Sequence, residues 1–387
     1  MKLVFVSVYL NIHQLPLCIE FSKELGEEFC YISTAPLSIQ RQRFGFDDMD
    51  RKYPFVVRTY ESEAEKEKAY RIIKDADIAI MGSCPEDMLN ARVSTGKVTY
   101  KYSERYFKGG NTIRDRIKYF YYSIRYILPL QNKNLYYLCA SAYTANDVNK
   151  YCDFNDRTYK WGYFRENSIL NVDEVLQKKR IASIVWVGRL IDWKHPETVV
   201  RIAEQLKERH IKAHIRMIGD GPMRDCIEEL ILEKRLCDYI LLLGAQNPDT
   251  VKHEMENAQI AFLTSDFNEG WGMVVNEAMN ACCAIVASKE MGAVPFLIDE
   301  AVNGFSFHFN DIKMAFNRIC ELINDKDLSD KLGRNAYYTM IDKWNAKIAA
   351  DRFLHIANAA LNGEKQCFFD DGPCSKAEVL TEDWYKE

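Results

Sequence analysis

The chain has 387 residues, 48% of them hydrophobic, and its 51 Lys and Arg against 56 Asp and Glu leave a net charge of −5. This length suits two or three domains of ordinary size with apolar content for two cores, and the negative balance gives no general reason to expect nucleic-acid binding. The twelve cysteines include no C-x-x-C pair and no His/Cys cluster at metal-ligand spacing, which argues against a disulfide framework or a metal site and for reduced core residues of a cytoplasmic protein.

Lys2 and the apolar run from Leu3 to Leu10 could pass for a secretory leader, but the run is short, Asn11 and His13 interrupt it, and no small-residue cleavage site follows. It reads instead as a first parallel strand. Strand candidates near 2–9, 28–33, 54–59, 77–82, 97–102 and 135–140 then alternate with helical patterns such as 16–26, 63–75 and 111–127. This is the βαβ rhythm of a parallel sheet. Nowhere does an apolar run approach the roughly eighteen residues of a membrane helix.

One segment of this half stands apart. Residues 101–140 hold eight Lys or Arg against two acidic residues, in a chain otherwise negative by eleven. Arg114, Lys118 and Arg125 fall at near-helical spacing among Tyr119, Phe120, Tyr121, Tyr122 and Tyr126. Such a surface suits an anionic membrane or a phosphate-bearing, lipid-linked acceptor. A buried aromatic helix with a solvated basic face fits the same pattern.

Residues 164–178 are polar with few strand formers and are the expected linker. A second series of strands follows near 181–187, 213–218, 239–243, 259–264 and 284–288, and three of these strands end in recognisable turns. After Ile184-Val185-Trp186-Val187 come Gly188-Arg189-Leu190, then Lys194 and a helix opened by Pro196. An Arg and a Lys at a strand end can clamp a diphosphate, the guanidinium bidentate and the ammonium as a point charge. Next, Ile218-Gly219-Asp220-Gly221-Pro222 is a glycine turn that lacks the third glycine of the dinucleotide fingerprint, which argues against a nicotinamide or flavin enzyme.

The third turn, Gly270-Trp271-Gly272, lies between Glu269 and Glu277 and leads into an amphipathic helix starting near Met273. Glycines permit close backbone approach, and the amides and positive dipole end of the helix would face a phosphate. Carboxylates beside it can accept hydrogen bonds from sugar hydroxyls, which points to a nucleotide sugar rather than a bare nucleotide. A helix with one exposed Glu and another at its mouth is the plainer reading of that spacing. Ligands of such sheets bind beyond the carboxyl ends of the strands, where all three turns fall. Past residue 310 the pattern is helical, and the acidic stretch from Gly363 carries no motif and is expected to be loosely held. The acidic pairs Asp47-Asp48 and Asp370-Asp371 lie outside the motif region and read as loop residues rather than metal sites.

Taken in order, Gly188-Arg189-Leu190 with Lys194, Gly219-Asp220-Gly221-Pro222, and Glu269-Gly270-Trp271-Gly272 through Glu277-Ala278-Met279 strongly resemble the retaining glycosyltransferases of family 4. The resemblance covers about residues 180–345 with specific motifs and the first 170 more loosely. It implies an α/β protein of the GT-B fold, with two Rossmann-like domains whose parallel sheets face an interdomain cleft. The corresponding organisation is an acceptor-side domain over 1–170, a donor domain over 171–345, a helix over 346–362 crossing back to the first domain, and an acidic tail over 363–387.

By the same resemblance Arg189, Lys194 and Glu269 are the catalytic candidates, the first two on the donor diphosphate and Glu269 on the donor sugar. Glu277 belongs on the ribose, with Gly188, Gly219, Gly221, Gly270, Trp271, Gly272 and Met273 completing the donor site. The chain departs from the family at three places. Ala281-Cys282-Cys283-Ala284 replaces a Gly-x-Pro that helps to end a helix, and His195 stands where glycine is common. Tyr9 to Gln14 replaces a Gly-Gly loop, which makes Asn11 and His13 candidates for side-chain contacts from the first domain.

The implied activity is metal-independent, retaining transfer of a hexose-type sugar to a glycan or lipid-linked glycan in surface polysaccharide assembly. The donor is a nucleotide diphosphate sugar, UDP favoured over GDP, with no cofactor. The expected location is the cytoplasm, at the inner face of the membrane if the basic aromatic stretch touches lipid. A nucleotide-sugar epimerase or hydrolase of the same fold, or a non-catalytic nucleotide-sugar-binding subunit, would retain the same motifs.

Overall fold

The computed structural model describes residues 1–38, 47–108, 112–364 and 368–380. The chain divides into two compact units, Met1–Glu166 with Trp344–Glu387, and Asn167–Lys343. Each is built on a parallel sheet covered by helices, a Rossmann-like α/β arrangement.

The first unit contains β1 (Leu3–Ser7), β2 (Phe29–Ser33), β3 (Val56–Arg58), β4 (Ile78–Met81), β5 (Thr99–Ser103), β6 (Leu135–Cys139) and β7 (Thr158–Lys160), in the sheet order β3-β2-β1-β4-β5-β6-β7. The central strands are buried at every position, as expected for a parallel sheet with helices on both faces. Six of these strands stand where the alternation of apolar runs predicts them. β7, Thr158-Tyr159-Lys160, follows the polar Asn155-Asp156-Arg157 and has no apolar run to mark it.

The final helix, Ala346–Leu361, packs on this unit, with Phe353 edge-on to Tyr100 and against Phe21. Beyond it the expectation of a loose tail is overturned across residues 368–380. Lys160 N donates to Ser375 O at 2.7 Å, Cys374 N to Lys160 O at 2.9 Å and Ala377 N to Thr158 O at 3.0 Å, and Cys374 and Ala377 are buried. The segment pairs with the outer edge of β7 and so satisfies strand groups that would otherwise be open. Residues 365–367 and 381–387 of the tail lie outside the described residues.

In the second unit, β8 (Arg180–Val187), β9 (His214–Ile218), β10 (Ile240–Gly244), β11 (Ala258–Leu263), β12 (Ala284–Ser288) and β13 (Gly304–Phe307) are ordered β10-β9-β8-β11-β12-β13. β11 and β12 are buried throughout. The expected linker over 164–178 is only partly one: Val172–Lys178 is a helix whose Val172 and Leu176 pack with Cys282 and Tyr337. Asn171, Asp173 and Glu174 around Val172 are polar and hide the buried face of a very short helix. Among the described cysteines Cys18, Cys139, Cys282, Cys283 and Cys374 are buried, whereas Cys226 and Cys237 are exposed. No helix among the described residues is long and apolar enough to cross a membrane.

Each unit has a buried cation that gathers chain ends. Arg92 is 0% exposed. Its guanidinium donates to the carbonyls of Ile73 (3.0 Å), Ala76 (2.6 Å), Asp77 (2.9 Å) and Val98 (2.6 Å) and to Thr99 Oγ1 (3.2 Å), and burial pulls its pKa down to about 10. Lys179 does the same in the second unit, donating to Ala258 O at 2.7 Å and Ala281 O at 2.9 Å. Arg92→Met should therefore leave several buried carbonyls unpaired and lower unfolding free energy by about 3 kcal/mol. Urea denaturation checks this, and Arg92→Lys, which keeps the charge but not the planar fork, should recover only part of the loss.

Candidate active site

The order of the second sheet reverses at one place. β8 and β11 are neighbours, yet the chain leaving β8 continues to β9 on one side and the chain leaving β11 to β12 on the other. Loops at such a switch point diverge and leave room for a ligand at the carboxyl ends of the strands. Arg189 and Lys194 follow β8, and Glu269 to Gly272 follow β11.

Backbone bonds hold the first of these loops. Gly188 N donates to Ile218 O at 3.0 Å and Leu190 N to Asp220 O at 2.9 Å. A Cβ on Gly219 would stand 1.8 Å from the Gly188 carbonyl oxygen and one on Gly221 2.5 Å from that of Leu190. The space left by these two missing side chains is taken by the neighbouring loop, so contact between backbones requires glycine here.

The second loop is drawn to the first by polar contacts. Trp186 Nε1 donates to Thr264 Oγ1 at 2.9 Å, and that hydroxyl donates to the Lys194 carbonyl. Asp266 N donates to Trp193 O at 2.9 Å, and Glu269 N to Asp266 O at 3.1 Å. The result is an ion pair between Lys194 Nζ and Glu269 Oε2, with side chains only 15% and 18% exposed. Arg189 is exposed, its guanidinium 5.5 Å from the centre of the Trp193 ring. Among the described residues no carboxylate pairs with it.

His195 occupies the left-handed region at φ 48°, as the N-cap of the helix Pro196–Glu208. It therefore takes up a backbone shape for which glycine is the easy choice. Nε2 lies 3.2 Å from Asp266 Oδ2 and Nδ1 2.9 Å from Glu197 Oε1. These bonds, from Asp266 first and Glu197 second, outweigh burial and push its pKa up to about 9. Thr264, Asp266 and Glu197 are the residues that sequence reasoning missed. The signal was the histidine itself, a non-glycine residue in a glycine position that needs side-chain partners to stay there.

Gly272, at φ 95°, begins the helix Met273–Asn280, and a Cβ there would stand 2.6 Å from Met291 Cε. Trp271 is buried, with Nε1 donating to Asn276 Oδ1 at 2.9 Å and its carbonyl accepting from Ala293 N at 2.9 Å. Gly272 offers no side chain to cap this helix, whose leading amides stand at the positive end of the dipole. Glu277 lies half-buried one turn further along. Cys282, at φ 55°, follows the helix in the left-handed shape, and the helix ends at Asn280 without a Gly-x-Pro. Behind the turn, Glu290 is fully buried, accepting from Ser288 Oγ at 2.6 Å and Phe309 N at 3.1 Å, and burial raises its pKa.

The structure thus brings Lys194 and Glu269 into contact and sets Arg189 and the helix from Met273 at the same switch point. Asn11 and His13 belong to the first unit. The Asn11 carboxamide oxygen accepts from His13 N at 2.9 Å and Gln14 N at 3.0 Å, a local turn that opens the helix Leu15–Leu25. The His13 ring lies 5.8 Å from that of Tyr163. No cluster of three or more His, Cys, Asp or Glu suited to a metal ion occurs among the described residues.

Residues 171–339 match the family model of the glycosyl transferases group 1. That span lies within the second unit, Asn167–Lys343. Over 179 residues the chain is 27% identical to an uncharacterized glycosyltransferase of Methanocaldococcus jannaschii, covering 46% of this chain and 45% of that protein. Over 175 residues it is 25% identical to the poly(ribitol-phosphate) alpha-N-acetylglucosaminyltransferase of Staphylococcus aureus, covering 45% and 34%. The chain thus spans less than half the length of these curated relatives. Among solved structures, Anabaena HepE in complex with UDP and glucose is similar over 93% of this chain and 100% of its own, with TM-score 0.65 and 14% identity. Sucrose-phosphate synthase from Thermosynechococcus elongatus covers 94% and 99%, with TM-score 0.61 and 12% identity. At these identities the likeness shows the shared fold, that of GT-B proteins.

The His195 contacts carry a pH dependence. Its folded pKa of about 9 lies above the unfolded value of about 6.5, so the stabilisation is complete below the unfolded value and is lost as pH rises through the folded one. His195→Gly keeps the left-handed backbone but loses both carboxylate contacts. Its stability deficit should be greatest near about pH 6 and shrink strongly by about pH 10, followed by urea denaturation across that range. A deficit independent of pH would remove the charge from this contact.

Proposed function

We propose that the protein is a retaining glycosyltransferase that moves a hexose-type sugar from a nucleotide diphosphate sugar to a glycan or lipid-linked glycan. The observation that carries the reading is the meeting, at the β8/β11 switch point, of Arg189 and the Lys194–Glu269 pair with the uncapped helix start at Met273. As the bond from the anomeric carbon to the diphosphate breaks, negative charge grows on the phosphate oxygens. Fixed positive groups aimed at that charge lower the barrier. Arg189, which pairs with no carboxylate among the described residues, the Lys194 ammonium and the helix amides supply them. Glu269, held against Lys194, offers carboxylate oxygen to the sugar hydroxyls, and Glu277 to the ribose.

The acceptor oxygen forms its bond on the face that the diphosphate leaves, and its proton passes to a donor phosphate oxygen. The anomeric configuration is therefore kept. A uridine donor is favoured because the similar HepE structure holds UDP and glucose, with a guanosine donor as the alternative. We place the reaction in surface polysaccharide assembly on the cytoplasmic side, with Arg114, Lys118 and Arg125 meeting an anionic membrane or a phosphate-bearing acceptor.

Thermal-shift screening against UDP- and GDP-sugars identifies the donor, since a ligand of the folded state raises the melting point by mass action. On that donor Arg189→Ala should lower turnover by on the order of 100-fold or more, and Lys194→Ala should resemble it. Glu277→Ala should mainly weaken donor binding, because a ribose contact changes little during reaction. Unchanged turnover in Arg189→Ala would sink the assignment.

Two further outcomes are expected of the same enzyme. Activity should survive exhaustive chelation by EDTA, and loss restored by magnesium or manganese would show that the cations above are insufficient. Proton coupling at the new anomeric centre should report an α-linked product from an α-linked donor. A β-linked product would place the enzyme in another mechanistic class.

A further inference from the structure

We propose that the helical segment Ile113–Tyr122, with its continuation through the π turn Ser123–Ile127 and Leu128–Gln131, lies in the interface of an anionic bilayer and inserts an apolar stripe between the lipids. The inference rests on the membrane contact proposed above and goes beyond it, because cations alone would hold the protein only at the level of the headgroups.

The two sides of this segment differ. Inward it buries Tyr119, Ser123, Ile127 and Leu130, a helical stripe on the body of the unit. Outward, Ile113, Ile117, Phe120, Tyr121, Ile124 and Leu128 are 45 to 78% exposed. Their spacing places all six on one side of a helix of 3.6 residues per turn. Tyr151 extends the face beyond the helix, with its ring 5.4 Å from that of Phe120. Together with Ile113, Arg116 and Ile117, these two rings line a shallow depression of about 330 Å³. A contiguous apolar surface of this kind marks an interaction site.

The charges select the occupant. Arg114, Lys118 and Arg125 run along one flank of the stripe and Arg116 along the other. The acidic residue of the same helix, Asp115, is engaged in a capping box with Thr112. A second copy placed face to face would bring like charges together, whereas anionic lipid meets them with phosphates while the apolar chains enter the acyl boundary. Apolar stripe below and basic side chains reaching up to the headgroups is the arrangement of helices that lie in a membrane surface.

The full chain should be sedimented with vesicles of phosphatidylcholine and phosphatidylglycerol at low salt and at about 0.5 M NaCl, where exposed charges are screened within a few ångströms. The expected result is binding that persists in part at high salt. The triple variant Ile117→Ser, Phe120→Ser, Ile124→Ser should partition at least about tenfold more weakly at both salts, while Arg114→Gln, Lys118→Gln, Arg125→Gln should lose mainly the salt-sensitive part. A Phe120→Trp variant should have its fluorescence quenched by brominated acyl chains. All the substituted side chains are exposed, and circular dichroism and donor binding verify that the variants are folded. Parent binding abolished by salt, with the serine variant equal to it at low salt, would overturn insertion and leave the electrostatic contact standing. Failure of the parent to bind any vesicle would overturn both. A dimer in solution that the serine variant dissolves, without vesicle binding, would assign the stripe to a second copy.

Discussion

The site depends on a geometric constraint: the loops leaving β8 and β11 must part because their strands are neighbours while their next strands lie on opposite sides. Everything chemical in the second unit is an elaboration of that separation. The first loop brings Arg189 and Lys194, the second Glu269 and the start of the helix from Met273, and cross-bonds such as Asp266 N to Trp193 O set how far apart they stand. Were the connections on the same side, these residues would follow adjacent strands with a crossover packed between them.

Positions in the left-handed region show how the same backbone can be reached with different residues. His195 and Cys282 both stand where glycine is the easy choice, at φ 48° and 55°. An L side chain there is strained by order 1 kcal/mol or more, and the two offset it differently. His195 does so with Asp266 and Glu197, a polar solution that also couples the Lys194 turn to the loop carrying Glu269. Cys282 does so by burial against Val172, Leu176 and Tyr337, an apolar solution. The consequence is that the turn beside Lys194 is fixed by charge, and the far end of the helix carrying Glu277 is fixed by packing.

The two units solve the same end-of-chain problem with buried cations. Arg92 and Lys179 each collect carbonyls that helix ends and strand starts leave without partners. A cation suits this role because several acceptors converge on one donor group, and the planar guanidinium reaches carbonyls on different segments at once. Neither residue could be distinguished from a surface charge in the sequence. Arg92 lies near the end of a short, largely polar helix, Glu86–Val93, and Lys179 follows Lys178, which is exposed.

The sequence by itself determined the βαβ order, all but two of the strands, and the places of the turns after β8 and β11, because each rests on local patterning: continuous apolar strands, glycine at tight turns, proline at helix starts. It could not show β7 and β13, since Thr158-Tyr159-Lys160 and Gly304-Phe305-Ser306-Phe307 lack the continuous apolar run that marks the other strands. It could not show that residues 368–380 cover the edge of β7, because pairing between segments so distant in sequence leaves no local trace. The basic residues of the helix from Ile113 were legible, but which of its apolar residues face outward was not: Tyr119 and Phe120 are adjacent and similar, and only packing against the rest of the unit buries one and exposes the other. Tertiary structure likewise decided that Lys194 meets Glu269, since the two are brought together by the adjacency of β8 and β11 and not by anything in either motif.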